Sequence, residues 1–137
     1  MGSYKVGFVA GNFDLIHLGY IKLFKFAKNN CDFLIVAIHD DPSIERPKKF
    51  SPIHSLSERK TIIQSIRYID QVTHYKRERD LIKLLKKLPI SVRFLDEKYK
   101  FKSITGNNLK LPIKWVPRKH NYSTTNLVRK IKLLNDK

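Results

Sequence analysis

The sequence predicts an α/β fold of three layers, in which helices cover both faces of a five-stranded parallel sheet. Strand-like and helix-like hydrophobic patterns alternate along the chain, which is the order that builds a parallel sheet. Residues 33–38 form a continuous apolar run, as expected of a strand that is covered on both faces. A length of 137 residues fits one domain, so we expect residues 1–137 to fold as a single unit.

Each predicted element has its own local signal. The predicted strands are residues 6–10, 33–38, 71–75, 92–95 and 113–116, of which 33–38 is a continuous apolar run and 71–75 is a short strand candidate. Apolar residues recur at helical spacing from Leu18 to Ala27, and Ser55 and Glu58 form a capping-box pattern that opens the second helix. That second helix carries four isoleucines on one side: Ile62, Ile63, Ile66 and Ile69. The third predicted helix spans residues 80–88. The fourth begins near residues 123–125 and is expected to bury Leu127, Val128, Ile131 and Leu134.

The loops that follow the strands are the first place to look for a binding site. Right-handed crossovers place every strand-to-helix loop at the same edge of such a sheet. Ligands bind there, outside the carboxyl ends of the strands and at the point where the strand order reverses. The segments concerned are residues 11–17, 39–49, 96–102 and 118–125.

The charge balance is strongly basic. The chain has 28 Lys and Arg residues against 12 Asp and Glu residues, which gives a net charge of +16 and a pI of about 10.1. Such an excess predicts an anionic partner: a nucleic acid, an acidic membrane or a phosphorylated small molecule. A lysine-rich solvated surface accounts for the same number without any partner, so both interpretations stay open at this point.

Cysteine and hydropathy patterns narrow the class of protein. A single cysteine, Cys31, excludes an intramolecular disulfide framework and a cysteine zinc cluster. Without a disulfide signal, a reducing cytoplasm is the expected compartment. No apolar run approaches the ~20 residues of a transmembrane helix, and the first residues have no signal-peptide layout.

The loop after the first predicted strand, residues 11–20 (GNFDLIHLGY), carries the strongest local signal. Gly11 lets the backbone approach a ligand, and His17 falls where the next helix begins. The free N–H groups of a helix start favour phosphate, and an imidazole there can donate to phosphoryl oxygens. Taken alone, a histidine in this position is more often a cap or a packed residue, and Asp14 is equally a turn-former.

This loop resembles the G-x-F-D-x-x-H-x-G-H signature of the nucleotidyltransferase superfamily that contains the cytidylyltransferases. The matching residues are Gly11, Phe13, Asp14, His17 and Gly19. Tyr20 stands in place of the final histidine. Residues 66–72 (IRYIDQV) and 118–125 (RKHNYSTT) are similar to the I-R-Y-V-D-E-V and R-x-x-x-x-S-T-T stretches of bacterial glycerol-3-phosphate cytidylyltransferases. The resemblance runs from about residue 5 to residue 134, and Asp96 lies where many members have glycine.

The resemblance implies a small Rossmann-like domain, often a homodimer. It would transfer CMP from CTP to a phosphorylated alcohol similar to glycerol 3-phosphate, releasing pyrophosphate and a CDP-alcohol. The acceptor phosphate attacks the α-phosphorus directly in these enzymes, so no nucleophilic serine or cysteine is needed. The protein would position the substrates and neutralise their charge. Mg²⁺ would be held by the triphosphate and water, so no dedicated carboxylate site for a metal is expected.

The same resemblance assigns roles to individual residues. His17 would donate to the triphosphate near the scissile bond, Arg118 would clamp the triphosphate, and Lys48, with Lys49 as an alternate, would neutralise the α- and β-phosphates. These assignments make His17, Lys48 and Arg118 the predicted catalytic residues. The remaining predicted nucleotide-binding residues are Gly11, Asn12, Phe13, Asp14, Gly19, Tyr20, Ser123 and Thr124.

Two arginines, Arg59 and Arg67, are placed on the second predicted helix, where the resemblance implies contacts with the acceptor or with a dimer partner. Without the resemblance they would be ordinary surface arginines. Phe13 and Asp14 are expected to shape the first loop, and Ser123 and Thr124 also fit ordinary N-capping of the last helix.

Two alternatives to cytidylyl transfer remain. One is adenylyl transfer from ATP to a phosphorylated vitamin precursor on the same fold. The other is a catalytically weak or inactive homologue that binds nucleotide or nucleic acid through its basic surface. The departures at Tyr20 and Asp96 motivate the second alternative, because a phenol cannot carry the positive charge of an imidazolium.

Overall fold

A computed structural model describes residues 3–135, which form one parallel sheet with helices on both faces, confirming the predicted fold class. The strands are β1 (Val6–Gly11), β2 (Phe33–His39), β3 (Gln71–Tyr75), β4 (Val92–Asp96) and β5 (Ile113–Val116). Their spatial order is β3-β2-β1-β4-β5, and every neighbouring pair is parallel. The chain therefore moves outward from β1 in one direction and then in the other, which makes the carboxyl ends of β1 and β4 the switch point of the sheet.

Four helices connect or follow these strands. They are α1 (Leu18–Asn29), α2 (Leu56–Gln64), α3 (Glu78–Lys87) and α4 (Thr124–Asn135). Helices α1 and α2 pack on one face of the sheet through Phe24, Ala27 and Ile63. Helix α3 covers the other face through Leu81 and Leu85. The apolar runs of β1 and β2 are thus buried on both sides, which is why residues 6–11 and 33–38 contain no polar side chain.

Helix α2 begins as predicted but ends earlier. Ser55 Oγ accepts from the Glu58 N–H at 3.1 Å and Glu58 Oε1 accepts from the Ser55 N–H at 2.9 Å, so the predicted capping box is confirmed. The helix ends at Gln64. Ile66 and Ile69 still pack against the core, but they do so from the turn that leads into β3.

The prediction for the last helix is wrong in its outer half. Ile131 is 48% exposed and Leu134 is 66% exposed, and within residues 124–135 no side chain is fully buried. Only the first turns of α4 lie against the rest of the described chain, at Leu127 and Val128, which are half-buried. Helical spacing predicts an apolar stripe along α4, but other described residues cover only the first part of that stripe. The homodimer that the family resemblance implies stays a prediction.

None of the helices in residues 3–135 has the length and apolar character needed to cross a bilayer.

Candidate active site

The loop after β1 meets the start of α4 at the switch point, as the sheet topology predicts. The Thr124 hydroxyl donates to the Asp14 carbonyl at 2.9 Å. The Tyr20 hydroxyl lies 3.2 Å from Thr124 Oγ1. Because the single hydroxyl proton of Thr124 is used on the carbonyl, Tyr20 is the donor in this second hydrogen bond. The two motif-bearing segments, residues 11–20 and 118–125, therefore lie together, and the phenol of Tyr20 joins them.

His17 is the N-cap of α1. Its Nδ1 accepts from the Gly19 N–H at 3.1 Å, and its ring stacks on Tyr20 at 4.0 Å. Its Nε2 is buried and has no hydrogen-bond partner among residues 3–135. An Nδ1 that accepts leaves the proton of the neutral ring on Nε2, so His17 holds a buried N–H donor ready for a ligand.

The surroundings of His17 keep its imidazole neutral. Burial, followed by the nearby His120, Arg118 and Lys98, lowers the pKa of His17 from 6.5 to about 4. Burial penalises the charged ring, and the neighbouring cations repel a further positive charge. The ring is therefore a neutral donor within a positive site at physiological pH.

We expect the His17 imidazole in the ligand-free protein to titrate with a midpoint near pH 4, measured from its ring chemical shifts. Between pH 6.5 and about 4 an unfolded chain binds this proton and the folded chain does not. The free energy of unfolding should therefore fall as the pH falls through that window. In urea the same ring should return to a midpoint near 6.5. A midpoint of 6.5 or higher in the folded protein would contradict this picture.

Gly19 lets a second loop reach His17. A Cβ at this position would lie 2.8 Å from His120 Cε1, 2.9 Å from His17 Cε1 and 2.9 Å from Tyr122 Cβ. These distances are too short for any side chain, so only glycine fits here. His120 was not selected in the sequence analysis, because it occupies an unspecified position of the R-x-x-x-x-S-T-T stretch.

Arg118 lies between the ends of β4 and the start of α4. Its Nη1 donates to Asp96 Oδ2 at 2.9 Å, and its Nη2 donates to the Tyr122 carbonyl at 3.0 Å. Its backbone N–H donates to Glu97 Oε1 at 2.8 Å. The carboxylate at position 96, where a glycine is the family pattern, is thus directed at Arg118 and supplies its counter-charge.

The loop after β1 has an unusual shape that two residues stabilise. Phe13 and Leu15 both have φ near 49°, a left-handed conformation that residues with side chains rarely adopt. The Phe13 ring is buried against Tyr20 and packs near Gly11. Asp14 is 4% exposed and accepts from the backbone N–H groups of residues 53 and 54 at 2.7 and 2.9 Å. These contacts agree with the expectation that Phe13 and Asp14 shape the loop.

The structure corrects the expected position of Arg59. Its side chain is 2% exposed, and its guanidinium donates to backbone carbonyls rather than facing solvent. Nη1 donates to Asn12 O at 3.0 Å and His39 O at 2.7 Å, Nε donates to His54 O at 3.1 Å, and Nη2 donates to Asp40 O. Arg59 lies one turn into α2, and from there its side chain faces the loops that follow β1 and β2. Arg59 is therefore a positioning residue beneath the site, and its burial keeps its guanidinium from meeting an acceptor in solvent.

Arg67 also lies elsewhere than expected. It follows the end of α2 in the turn before β3, not on the helix. Its side chain is exposed, stacks over the Tyr68 ring at 5.1 Å and donates to the Tyr68 hydroxyl at 3.1 Å. Since β3 begins at Gln71, Arg67 lies at the amino-end edge of the sheet, opposite His17. Arg67 therefore lies at the opposite edge of the sheet from the site of its own chain, and its contacts with an acceptor or with a second copy stay predictions.

The remaining predicted residues occupy the rim and the last helix start. Lys48 and Lys49 are exposed in the loop after β2, where their phosphate roles stay predictions. Ser123 Oγ accepts from the Asn126 N–H at 3.0 Å, which is the pattern of an N-cap of α4. The starts of α1 and α4 therefore both point toward the same edge of the sheet, where the positive ends of their dipoles favour an anion.

The chain is similar to known proteins in both sequence and fold. A family model described as cytidylyltransferase-like matches residues 8–130. The bifunctional protein HldE of Campylobacter jejuni is 33% identical over 131 residues, covering 93% of this chain and 28% of that protein. The chain thus spans just over a quarter of the length of this relative.

Two further relatives differ in the activities that their names give. The FAD synthase of Pyrococcus horikoshii is 30% identical over 132 residues, covering 90% of this chain and 89% of that protein. A probable ethanolamine-phosphate cytidylyltransferase of Encephalitozoon cuniculi is 38% identical over 68 residues, covering 50% of this chain and 21% of that protein.

Among solved structures, the lipopolysaccharide core biosynthesis protein of Thermoplasma volcanium superposes with a TM-score of 0.68 at 24% identity. The match covers 88% of this chain and 100% of that one. At this identity the likeness shows the shared fold.

Proposed function

Because this chain belongs to the cytidylyltransferase-like family, we propose that it transfers CMP from CTP to a phosphorylated alcohol. The observation that carries the proposal is the buried, unpartnered Nε2 of His17 at the start of α1, beside Arg118. A neutral N–H donor in a positive, partly buried site is suited to phosphoryl oxygens. The E. cuniculi relative, named for ethanolamine phosphate, supports a phosphorylated alcohol as the acceptor class.

The proposed reaction needs no covalent intermediate. An oxygen of the acceptor phosphate attacks the α-phosphorus of CTP, and the bond from that phosphorus to the bridging oxygen of pyrophosphate breaks. Negative charge builds on the departing pyrophosphate as this bond breaks. His17 Nε2–H and Arg118 stabilise that charge, and the free N–H groups at the starts of α1 and α4 hold the phosphates in place.

Magnesium is part of the proposed substrate rather than a resident metal of the protein. Within residues 3–135 no group of three or more His, Cys, Asp or Glu side chains has the arrangement of a metal site. Mg²⁺ prefers to keep water and phosphate ligands, so it enters with the triphosphate. Lys48 and Lys49, on the exposed loop after β2, are proposed to close over the α- and β-phosphates.

Adenylyl transfer is the second candidate, and one comparison favours it. The match to the FAD synthase of P. horikoshii covers nearly the full length of both proteins. The matches to the other two relatives cover only 28% and 21% of those proteins. The phosphate-binding geometry described above serves CTP and ATP equally, because it touches no base. The nucleobase and the acceptor that the protein binds therefore distinguish cytidylyl transfer from adenylyl transfer.

A ligand screen followed by an activity assay tests the proposal. Thermal unfolding is measured with Mg²⁺ and either CTP or ATP, and with CDP-glycerol, CDP-ethanolamine and FAD. A ligand at 100 times its Kd stabilises the fold by about 2.7 kcal/mol. We expect CTP to stabilise more than ATP, and pyrophosphate to appear only when CTP and a phosphorylated alcohol are both present.

Other outcomes of the screen are equally informative. Stabilisation by ATP, with pyrophosphate release in the presence of FMN, would replace cytidylyl transfer by adenylyl transfer. No stabilisation by either nucleotide would contradict both candidates. RNA or DNA binding that weakens steeply with salt, in the absence of nucleotide binding, would assign the basic surface to nucleic acid.

A further inference from the structure

Two imidazoles of the site are held in the same way. His17 Nδ1 accepts from the N–H of Gly19, and His120 Nδ1 accepts from the N–H of Tyr122, both at 3.1 Å. In each case the donor is the backbone two residues further along the chain. An accepting Nδ1 places the proton of the neutral ring on Nε2. Both rings therefore present an Nε2–H donor.

The two rings border the same space. The missing side chain of Gly19 separates them, with the Cε1 atoms of His120 and His17 at 2.8 and 2.9 Å from the position that a Cβ would take. Cε1 is bonded directly to Nε2 in each ring. Both rings thus lie against the first turn of α1 at Gly19, one from the loop after β1 and one from the loop after β5.

Cations approach His120 from two parts of the chain, helix α1 and the loop after β5. Burial, followed by Arg118 and Lys22, lowers its pKa, while Asp96 acts in the opposite direction. His120 also lines a cleft of about 270 Å³ between α1 and the end of β5, together with Lys22 and Lys119. Positive side chains that converge on a neutral donor fit a ligand with several negative charges.

Tyr20 cannot supply this second donor. Its hydroxyl proton is directed to Thr124 Oγ1, and burial raises its pKa, so the phenol stays protonated within that hydrogen bond. The nearby His120, by contrast, has an Nε2–H that donates no hydrogen bond within residues 3–135, since only its Nδ1 is used.

Resting on the proposed function, we infer that His120 is a second catalytic donor, whose Nε2–H binds a phosphoryl oxygen of the nucleotide opposite His17. The loop after β5 thereby supplies, from a distant part of the sequence, a donor that Tyr20 on α1 does not provide. Stabilising the charge on departing pyrophosphate then involves two imidazoles and Arg118.

Two substitutions separate this role from a merely structural one. His120→Asn keeps an acceptor at the distance of Nδ1 from the backbone, so it preserves the hydrogen bond from Tyr122 N–H but removes the Nε2 donor. His120→Gln places an amide N–H at the distance of Nε2 but has no acceptor at the Nδ1 position. We expect His120→Asn to lower kcat for pyrophosphate release by about 10- to 100-fold with little change in KM, and His120→Gln to recover part of that loss. The matched control, His74→Asn on β3, should behave as the parent protein.

The opposite order would overturn the inference. If His120→Asn is fully active and His120→Gln is impaired, His120 only orders its loop. A second experiment follows the NMR signals of ¹⁵N-labelled histidine rings while Mg²⁺–CTP is added. It distinguishes a wrong role for His120 from a wrong proposed function. Shifts at the Nε2 atoms of both His17 and His120, with His74 unchanged, are the expected result. A shift at His17 alone overturns the role of His120 and leaves cytidylyl transfer standing. No binding of CTP or ATP overturns both.

Discussion

Replacing His17 by asparagine is expected to lower kcat about 100- to 1000-fold, with a much smaller effect on KM. The asparagine oxygen lies at the distance of Nδ1 from the backbone, so it still accepts from Gly19 N–H and caps α1. What the variant loses is the buried Nε2–H, which has no partner in the described part of the free protein. Such a donor contributes most in the transition state, when negative charge builds on the departing pyrophosphate. The measurement is steady-state pyrophosphate release from CTP with a phosphorylated alcohol.

The control for this substitution is the same change at His74, which is exposed on the edge strand β3. His74→Asn should leave kcat unchanged. Thermal unfolding of His17→Asn should follow the parent protein closely, since the cap is retained. Full activity of His17→Asn would remove the proposed mechanism, whatever the identity of the acceptor.

The largest effect on stability is expected from Arg59→Met. Methionine fills a similar volume but leaves the carbonyls of Asn12, His39 and Asp40 without their donor. Buried acceptors that lose a charged partner cost about 1–3 kcal/mol each, so we expect the free energy of unfolding to fall by about 3–5 kcal/mol. Urea denaturation measures this loss. Domains are stable by only about 5–15 kcal/mol, so the variant should lie near the limit of folding.

Arg67→Met is the matched control for Arg59→Met. Arg67 is exposed in the turn before β3, so its replacement should change the free energy of unfolding by less than about 0.5 kcal/mol. Equal losses in the two variants would contradict the positioning role of Arg59. Arg59→Lys should recover only part of the loss, because one ammonium cannot reach carbonyls on several loops at once.

The sequence was most informative about the strands and about the edge at which they end. The continuous apolar run of residues 33–38 predicts β2 to within a residue of its observed bounds, because a strand covered on both faces tolerates few polar side chains. The short mixed strands β3 and β5 were predicted with their observed bounds. The meeting of the loop after β1 with the start of α4 was also predictable, since parallel strands bring such loops to one edge.

What sequence reasoning missed depends on contacts between distant segments. Arg59 reads as a surface residue because its acceptors are backbone carbonyls of loops that are far away in the chain, and backbone groups leave no mark in a sequence. His120 escaped notice because its place beside His17 depends on the missing side chain of Gly19. The exposure of Ile131 and Leu134 was missed because periodicity shows a stripe without showing what covers it.

Because Arg118 already forms an ion pair with Asp96, the proposed site should bind ligands with several negative charges better than ligands with few. If the site binds a nucleotide as proposed, an incoming anion competes for Arg118 with the Asp96 carboxylate that already pairs with it. A small anion such as orthophosphate exchanges one partner for another of similar strength and gains little by entering. A triphosphate gains more, because it also reaches the imidazoles and the helix starts while it displaces the same carboxylate. We therefore expect Asp96 to compete with incoming anions and to favour binding of a triphosphate over simpler phosphates in the proposed site.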